Sequence, residues 1–330
     1  MPLSVLLPPH LAVRAPTRDD LPAIFALIQA SDLDIYGRTD YTLQELQHDW
    51  SRPEFNPATD AWIVTLPDGS LVGYAQTFDR DHYLILGMGV AHPSHEGMGI
   101  GSTLLNLMEE RAREHIPLAP PEAQVQLQPG VGGGHEPSAR LMTDHGYTQV
   151  RSFTRMGITL DAPPSSPVWP AAITVRTLVP GQDERALYEA MEESFSDHWG
   201  HSAETFEHWM ARHNTPDSLP PDLVFLAMAD ETVAGAAICI NLDDFGWVDT
   251  LGVRRPWRKQ GLGLALLRQA FDAFYRRGRH EVGLGVDAQS LTGATRLYER
   301  AGMHPVVQYD VYRKVLRPGV EMIVESLDEQ

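Results

Sequence analysis

Three things are scarce in this sequence, and each scarcity excludes something. Among 330 residues there is one cysteine, Cys239, so neither an intramolecular disulfide nor a four-cysteine zinc site can form. That thiol lies in the apolar run VAGAAICI and is expected to be an inert group in a buried strand. Long hydrophobic runs are missing as well, none approaching the roughly 20 residues of a membrane span. The opening MPLSVLLPPH lacks a basic segment before its short apolar stretch, so no signal peptide is expected and the reading is cytoplasmic. Positive charge is the third shortage: 26 Lys and Arg against 44 Asp and Glu give a formal charge of −18. Such a field disfavours general binding to nucleic acid or an anionic membrane, and neither partner is expected.

What remains is ordinary globular material, 43% hydrophobic and 21% charged, in a length that suits about two domains. The sequence also resembles itself. Arg14 in AVRAPTRDD and Arg176 in TVRTLVPGQD are 162 positions apart, as are Gly73 and Gly235, Gly99 and Gly261, and Gly101 and Gly263. Farther on, RLMTDHGY matches RLYERAGM with Leu141 and Leu297 offset by 156, a difference that a longer connection around HIPLAPPEAQ accounts for. Matches at one spacing in preserved order indicate an internal duplication. Between the copies, DAPPSSPVWPAA resists helix and sheet and reads as a linker over 161–172. The expected domains are 1–160 and 173–330.

In the second copy, DERALYEAMEESF has helical periodicity. LVFLAMAD and TVAGAAICINL read as paired strands joined by a turn at DET, and WVDTLGV as a further strand. GLGLALLRQAFDAFYRRG reads as a helix apolar on two sides, expected to be buried between layers. HEVGLGVDA is then a strand and TGATRLYERAG a short helix. A buried helix between strands implies a strand–helix–strand crossover in a mixed α/β architecture. In the first copy, GVGGGHEP at 130–137 is expected to be a loop without a helix start.

The densest positive charge lies in RRPWRKQGLGLALL, where Arg254, Arg255, Arg258 and Lys259 precede Gly261 and Gly263. A strand, a glycine turn and a helix start gather unpaired N–H groups around one concavity. The helix terminus and the cations then suit a polyphosphate. Neither the triphosphate loop with its Gly-Lys-Ser/Thr ending nor the dinucleotide Gly-x-Gly-x-x-Gly is present, the last position being Leu266. A basic solvated helix cap is the plainer alternative.

The pattern Arg258-x-x-Gly261-x-Gly263 after a strand ending at Val253 resembles motif A of the GNAT acyltransferase superfamily. GATRLYERAGM resembles that superfamily's second conserved segment, at a distance that one strand and one helix would fill. The two-copy layout is similar to the tandem arrangement of mycothiol synthase. The resemblance implies an α/β fold with a mixed α+β sheet, as two tandem GNAT-like acyl-CoA N-acyltransferase domains. Acetyl-CoA would be the cosubstrate, held by Leu251, Val253, Arg258, Lys259, Gln260, Gly261, Leu262, Gly263 and Leu264. The strand before the loop would splay from its neighbour and admit the thioester, with an N–H near Val253 polarising the carbonyl. Tyr298 matches the family's proposed acid toward the departing thiolate, although it also suits an aromatic core position. Asp249 is the candidate base, because it shares alternation parity with Leu251 and Val253. Asp243, Asp244 and a water relay remain alternatives to it.

The first copy keeps Gly97, Gly99 and Gly101, a possible second cofactor pocket, but has Glu96 where Arg258 stands and Met142 where Tyr298 stands. It is expected to be degenerate, with chemistry in the C-terminal copy. On the acceptor side, His198, Trp199 and His201, with His208 and Trp209, suit the wall of an acceptor pocket. Phe195, Trp199, Phe206 and Trp209 equally suit core positions. The histidine spacing matches no common zinc motif, and no metal is expected. The leading expectation is an N-acetyltransferase acting on an amine of a small molecule or peptide. The competing classes are a non-catalytic acyl-CoA-binding sensor or scaffold and an enzyme acylating a hydroxyl.

Overall fold

Element order along the chain follows the alternation of apolar runs and glycine turns. The computed structural model describes residues 10–52, 54–213, 218–242, 245–289 and 293–324. In chain order come β1 (Ala12–Arg14), α1 (Leu21–Tyr36), α2 (Leu43–Asp49), α3 (Pro57–Asp60), β2 (Ala61–Thr65), β3 (Leu71–Arg80), β4 (Leu84–Ala91), α4 (Ile100–Glu114), β5 (Val125–Gly132), α5 (Glu136–Asp144) and β6 (Thr148–Thr159). The same series then recurs as β7 (Ile173–Thr177), α6 (Glu184–Phe195), α7 (Phe206–Arg212), β8 (Val224–Ala229), β9 (Thr232–Leu242), β10 (Phe245–Val253), α8 (Leu262–Arg276), β11 (Glu281–Asp287), α9 (Ala294–Arg300) and β12 (His304–Arg317).

Two units result. Unit 1 comprises Met1–Phe153 with Val307–Met322, and unit 2 comprises Thr154–Val306 with Ile323–Gln330. The divisions therefore fall inside β6 and β12, so each of these strands belongs partly to one unit and partly to the other. In unit 1, β1 to β4 pair antiparallel in sequence, β4 pairs parallel with β5, and β12 closes antiparallel on β5 from Tyr309↔Gly132 to Arg317↔Val125. In unit 2, β7 to β10 pair antiparallel, β10 pairs parallel with β11, and β6 lies beside β11. The parallel pairs are joined by α4 and α8, the crossovers that a parallel step requires.

Both faces of the unit 2 sheet are covered. On one, α8 inserts Leu266, Phe271 and Phe274 against Cys239, Val248 and Leu284. On the other, α6 and α7 place Leu187, Met191 and Trp209 over Leu226, Ala236 and Ile238. Phe271 and Phe274 are fully buried, and a phenylalanine so buried contributes about 1.5–3 kcal/mol. Where burial between two layers was expected, α8 is amphipathic, with Arg276 exposed and Arg268, Gln269 and Asp272 half-buried. The apolar residues once divided between two sides form one broad stripe on a single sheet face. In unit 1, Ile24, Leu27, Leu46 and Trp50 form the corresponding core with Ile63 and Tyr74.

The repeat matches mark shared physical devices. Arg14 grips Asp20 with two hydrogen bonds of 2.8 and 2.7 Å, and Arg176 grips Asp183 likewise at 2.5 and 2.8 Å. Gly73 and Gly235 each sit beside a register shift in their hairpin. Residues 130–132 differ from expectation, being the end of β5, with α5 starting at Glu136. Gly132 fits that strand because a Cβ there would lie 2.7 Å from the Ile35 side chain. Among the described residues no helix is long and apolar enough to cross a membrane.

Candidate active site

The site of unit 2 begins where β10 leaves its parallel neighbour. Pairing with β11 runs Phe245↔Glu281, Gly246↔Val282 and Trp247↔Gly283, whereas pairing with β9 continues to Val253↔Gly235. At that point the β9 register shifts between Val248 and Thr250, making Asp249 the extra residue of a β-bulge. The bulge reverses the alternation. Val248 faces α8 before it and Leu251 and Val253 pack on the same cluster after it, while a Cβ on Gly252 would lie 3.0 Å from Met191 and Ser194 on the α6 side. A bulge bends its strand and re-aims side chains. The parity argument for Asp249 therefore fails, since alternation does not carry across the bulge. Asp249 is exposed and accepts a 2.9 Å hydrogen bond from its neighbour Thr250. Its charge is felt by His213 at the end of α7. Asp243 and Asp244 lie outside the described residues.

After Val253 the chain makes a 3-10 turn at Arg255–Trp257 and enters α8 through two left-handed residues, Lys259 (φ 62°) and Gly261 (φ 85°). Gly261 caps the helix without a side-chain bond, and its carbonyl accepts from Ala265 N–H at 3.1 Å. The N–H groups of the first turn, Leu262 to Leu264, are thus the orphan donors of a helix start. Open space surrounds the Cβ position of Gly261. At buried Gly263 a Cβ would meet Leu297 at 3.0 Å. Gly263 thereby lets α9 pack against α8, a different service from clearing a path for ligand. Leu262 is buried and offers only main chain, Leu264 is half-buried, and Gln260 donates to the Pro256 carbonyl at 2.9 Å.

The cations have partners that sequence reading missed. Arg254 donates to Glu193 at 2.6 Å. Arg255 reaches Ser196 at 3.3 Å and lies 3.7 Å from Asp197. Arg258 donates to the Val253 carbonyl at 3.0 Å, to Asp197 at 3.0 Å and to the Ser194 carbonyl at 2.9 Å. Burial opposes the charge on Asp197, but the hydrogen bond and charge of Arg258, with His198 and Arg255 behind them, hold its carboxyl below the usual range. The three arginines thus lock the loop to the end of α6. Among the described residues Lys259 makes no hydrogen bond or ion pair. The acidic run EESFSD at that helix end was the available signal, opposite in charge to RRPWR.

Tyr298 is 8% exposed in the cluster that includes Leu262. Burial pushes its phenol up to about 12, so it keeps its proton at neutral pH. On the acceptor side, His198 packs edge-on against Phe195 at 4.5 Å. Burial holds its imidazole below 6.5 despite Asp197, and the charges of Arg258 and Asp287 also act on it. His201 Nε2 lies 3.5 Å from Glu192, whose own carboxyl is raised by burial. Trp199 is half-buried between them in sequence, and His208 is exposed. Trp209 is core, stacked on His213 at 4.2 Å, and Phe195 and Phe206 pack against the same cluster.

Unit 1 repeats the loop backbone. Gly97 (φ 74°) and Gly99 (φ 81°) stand at the positions of Lys259 and Gly261, and Gly99 caps α4. A Cβ on Gly101 would lie 2.8 Å from Leu141, repeating the Gly263–Leu297 contact. Glu96 is half-exposed and 3.9 Å from His135. Met142 is buried.

The Acetyltransferase (GNAT) family profile matches twice, over residues 21–125 and 185–303. A mycothiol acetyltransferase of Thermomonospora curvata is 32% identical over 73% of this chain and 77% of its own. One of Streptomyces scabiei is 32% identical over 70% and 72%. The crystal structure of a GCN5-related N-acetyltransferase from Sphaerobacter thermophilus is 41% identical and covers 96% of this chain and 98% of its own, with a TM-score of 0.87. A tandem GNAT protein from the clavulanic acid biosynthesis pathway covers 94% and 100% at 15% identity and a TM-score of 0.70, a likeness of fold. With two copies of the sheet, each parting beside a glycine turn, the chain is an acetyltransferase that belongs to the GNAT family.

Proposed function

We propose that unit 2 transfers an acetyl group from acetyl-CoA to the amine of a small molecule, by direct attack in a ternary complex. The observation that carries this reading is the parting of β10 from β11 after Trp247, beside a helix start with unclaimed N–H donors. Along Leu251–Val253 every second main-chain N–H and C=O is free of the β11 partner, which suits the pantetheine arm and the thioester oxygen. The diphosphate would sit on the N–H groups of Gly261 to Leu264, with Lys259 adding charge. Two features favour chemistry in this unit over unit 1. The bulge at Asp249 has no counterpart in the unbroken β3–β4 register, and Met142 cannot donate a proton where Tyr298 can.

In this reading the amine loses a proton to Asp249, directly or through water, and attacks the carbonyl carbon. The N–H near Val253 stabilises the oxyanion, and Tyr298 donates to the thiolate as the C–S bond breaks. The relatives named mycothiol acetyltransferase support a small-molecule acceptor. His198, Trp199 and His201 would line its approach.

The test is acetyl-CoA titration by calorimetry, together with thiol release across a panel of small amines. Uptake of acetyl-CoA with acceptor-dependent thiol release is the expected result. Uptake without turnover on any amine or alcohol would leave a binding module, and turnover on alcohols alone would move the chemistry to a hydroxyl.

A further inference from the structure

We propose that unit 1 carries a binding site for a zinc-class divalent cation, formed by Asp79, His82 and His115. Asp79 is the penultimate residue of β3, His82 lies in the turn to β4, and His115 caps the C-terminus of α4. Three ligand atoms converge. Asp79 Oδ2 is 2.7 Å from His82 Nδ1 and 3.4 Å from His115 Nδ1, and the two Nδ1 atoms are 2.9 Å apart. The rings lie roughly parallel, with centroids 5.2 Å apart. His115 is buried and Asp79 largely so.

One proton satisfies this triangle poorly. A ring nitrogen has one in-plane lobe, holding either a hydrogen or a lone pair. Two N–H groups facing each other at 2.9 Å would clash, so at most one Nδ1 carries a proton. That single hydrogen leaves the other imidazole lone pair and the carboxylate facing each other. A cation accepts all three lone pairs at once. Tetrahedral ligands with bonds of about 2.0 Å lie about 3.3 Å apart, so the 3.4 Å separation already fits and the 2.9 and 2.7 Å separations would open by roughly 0.4 and 0.6 Å.

The surroundings favour positive charge. The last carbonyls of α4 point toward its C-terminus, where a cation is stabilised. Asp79 Oδ1 accepts from the His82 N–H at 2.8 Å, fixing the carboxylate so that Oδ2 faces both rings. His82 is itself held in the left-handed region (φ 63°).

Two imidazoles and one carboxylate with open positions match zinc and neighbouring first-row ions better than magnesium or calcium, which prefer oxygen. The site lies at the opposite end of α4 from the glycine loop, about 22 Å along the helix axis. Its role is therefore structural, pinning the β3–β4 turn to the helix end. It is particular to this copy, since positions 241 and 277, each 162 residues on, hold Asn241 and Arg277.

The test uses the full chain, stripped with a chelator and titrated with Zn²⁺ by calorimetry, with Co²⁺ absorption as a second readout. One equivalent of zinc should bind per chain, and affinity should fall at least tenfold in Asp79→Asn and in His82→Asn. Asparagine tolerates the left-handed backbone, so the second variant keeps the turn. A hundredfold excess over the dissociation constant should raise the unfolding temperature of the parent by roughly 5 °C, and that of His82→Asn by much less. His135→Ala, which alters a separate grouping with Asp34 and Glu96, should bind as the parent does. Failure of the parent to take up zinc would overturn the proposal, as would uptake unchanged in both ligand variants or lost in His135→Ala.

Discussion

Arg258 joins the end of β10 to the turn after α6, donating to Val253 at 3.0 Å with one nitrogen and to Asp197 at 3.0 Å with another. An arginine so engaged shapes the glycine loop before any ligand meets it. Asp197→Asn therefore decides its role. If Arg258 acts by holding the loop, this variant should weaken acetyl-CoA binding about three- to tenfold and lower stability by about 1–3 kcal/mol. If Arg258 instead reserves its charge for the ligand, freeing it should tighten binding. A cycle with Arg258→Gln, read by thermal unfolding, should show coupling of about 0.5–3 kcal/mol.

Lys259 occupies a left-handed position that its counterpart Gly97 fills without strain. A residue with a Cβ costs about 1 kcal/mol there. Lys259→Gly should raise the unfolding temperature of unit 2 slightly while weakening acetyl-CoA binding, most clearly at low salt. Opposite signs in two measurements on one variant separate backbone strain from charge.

Tyr298 with its phenol near 12 should act as a donor throughout the working range. Tyr298→Phe should lower kcat by about 10²-fold with little change in acetyl-CoA affinity, the aromatic ring still filling its buried place. The parent's rate should show no falling limb assignable to this phenol below about pH 11. An unchanged kcat would return Tyr298 to a packing role.

Acid should act on the fold in two stages. His198 and His213 are held below their ordinary value by burial, so the unfolded chain takes up those protons first. Stability then falls as pH drops through about 6.5, and this loss levels off below the lowered folded values. Asp20, Asp183 and Asp197 are depressed, the first two chiefly by hydrogen bonds from Arg14 and Arg176. Their contribution is present above about pH 4 and is lost below it, as pH falls toward the folded values. Unfolding temperatures from pH 8 to pH 3 should show both declines, and replacing both histidines with asparagine should flatten the first.

The elements of unit 2 were legible because their periods are clean: the hairpin of β8 and β9, the glycine-capped α8 and the short α9 lie where apolar spacing and turns place them. The duplication was legible in Gly73 and Gly235 because close approach to neighbouring atoms constrains both. Asp249 shows what periodicity misses. A bulge adds one residue without changing the local composition, so alternation read across it no longer fixes a face. The partners of Arg254, Arg255 and Arg258 were hidden for another reason, since they lie about 60 positions earlier and only the folded chain brings them together. The third grouping, Asp79 with His82 and His115, combines a turn with a helix end and has no fixed spacing to read.

The crossing of β6 and β12 between units bears on how such a chain can change over generations. Thr154–Thr159, which complete the second sheet, are encoded in the first copy, and Val307–Arg317, which complete the first, are encoded in the second. Separating the copies at the proline-rich stretch would strip a strand from each sheet and bare a row of main-chain donors and acceptors. Once fused in this way, neither half can be discarded without exposing the other, whatever chemistry each performs.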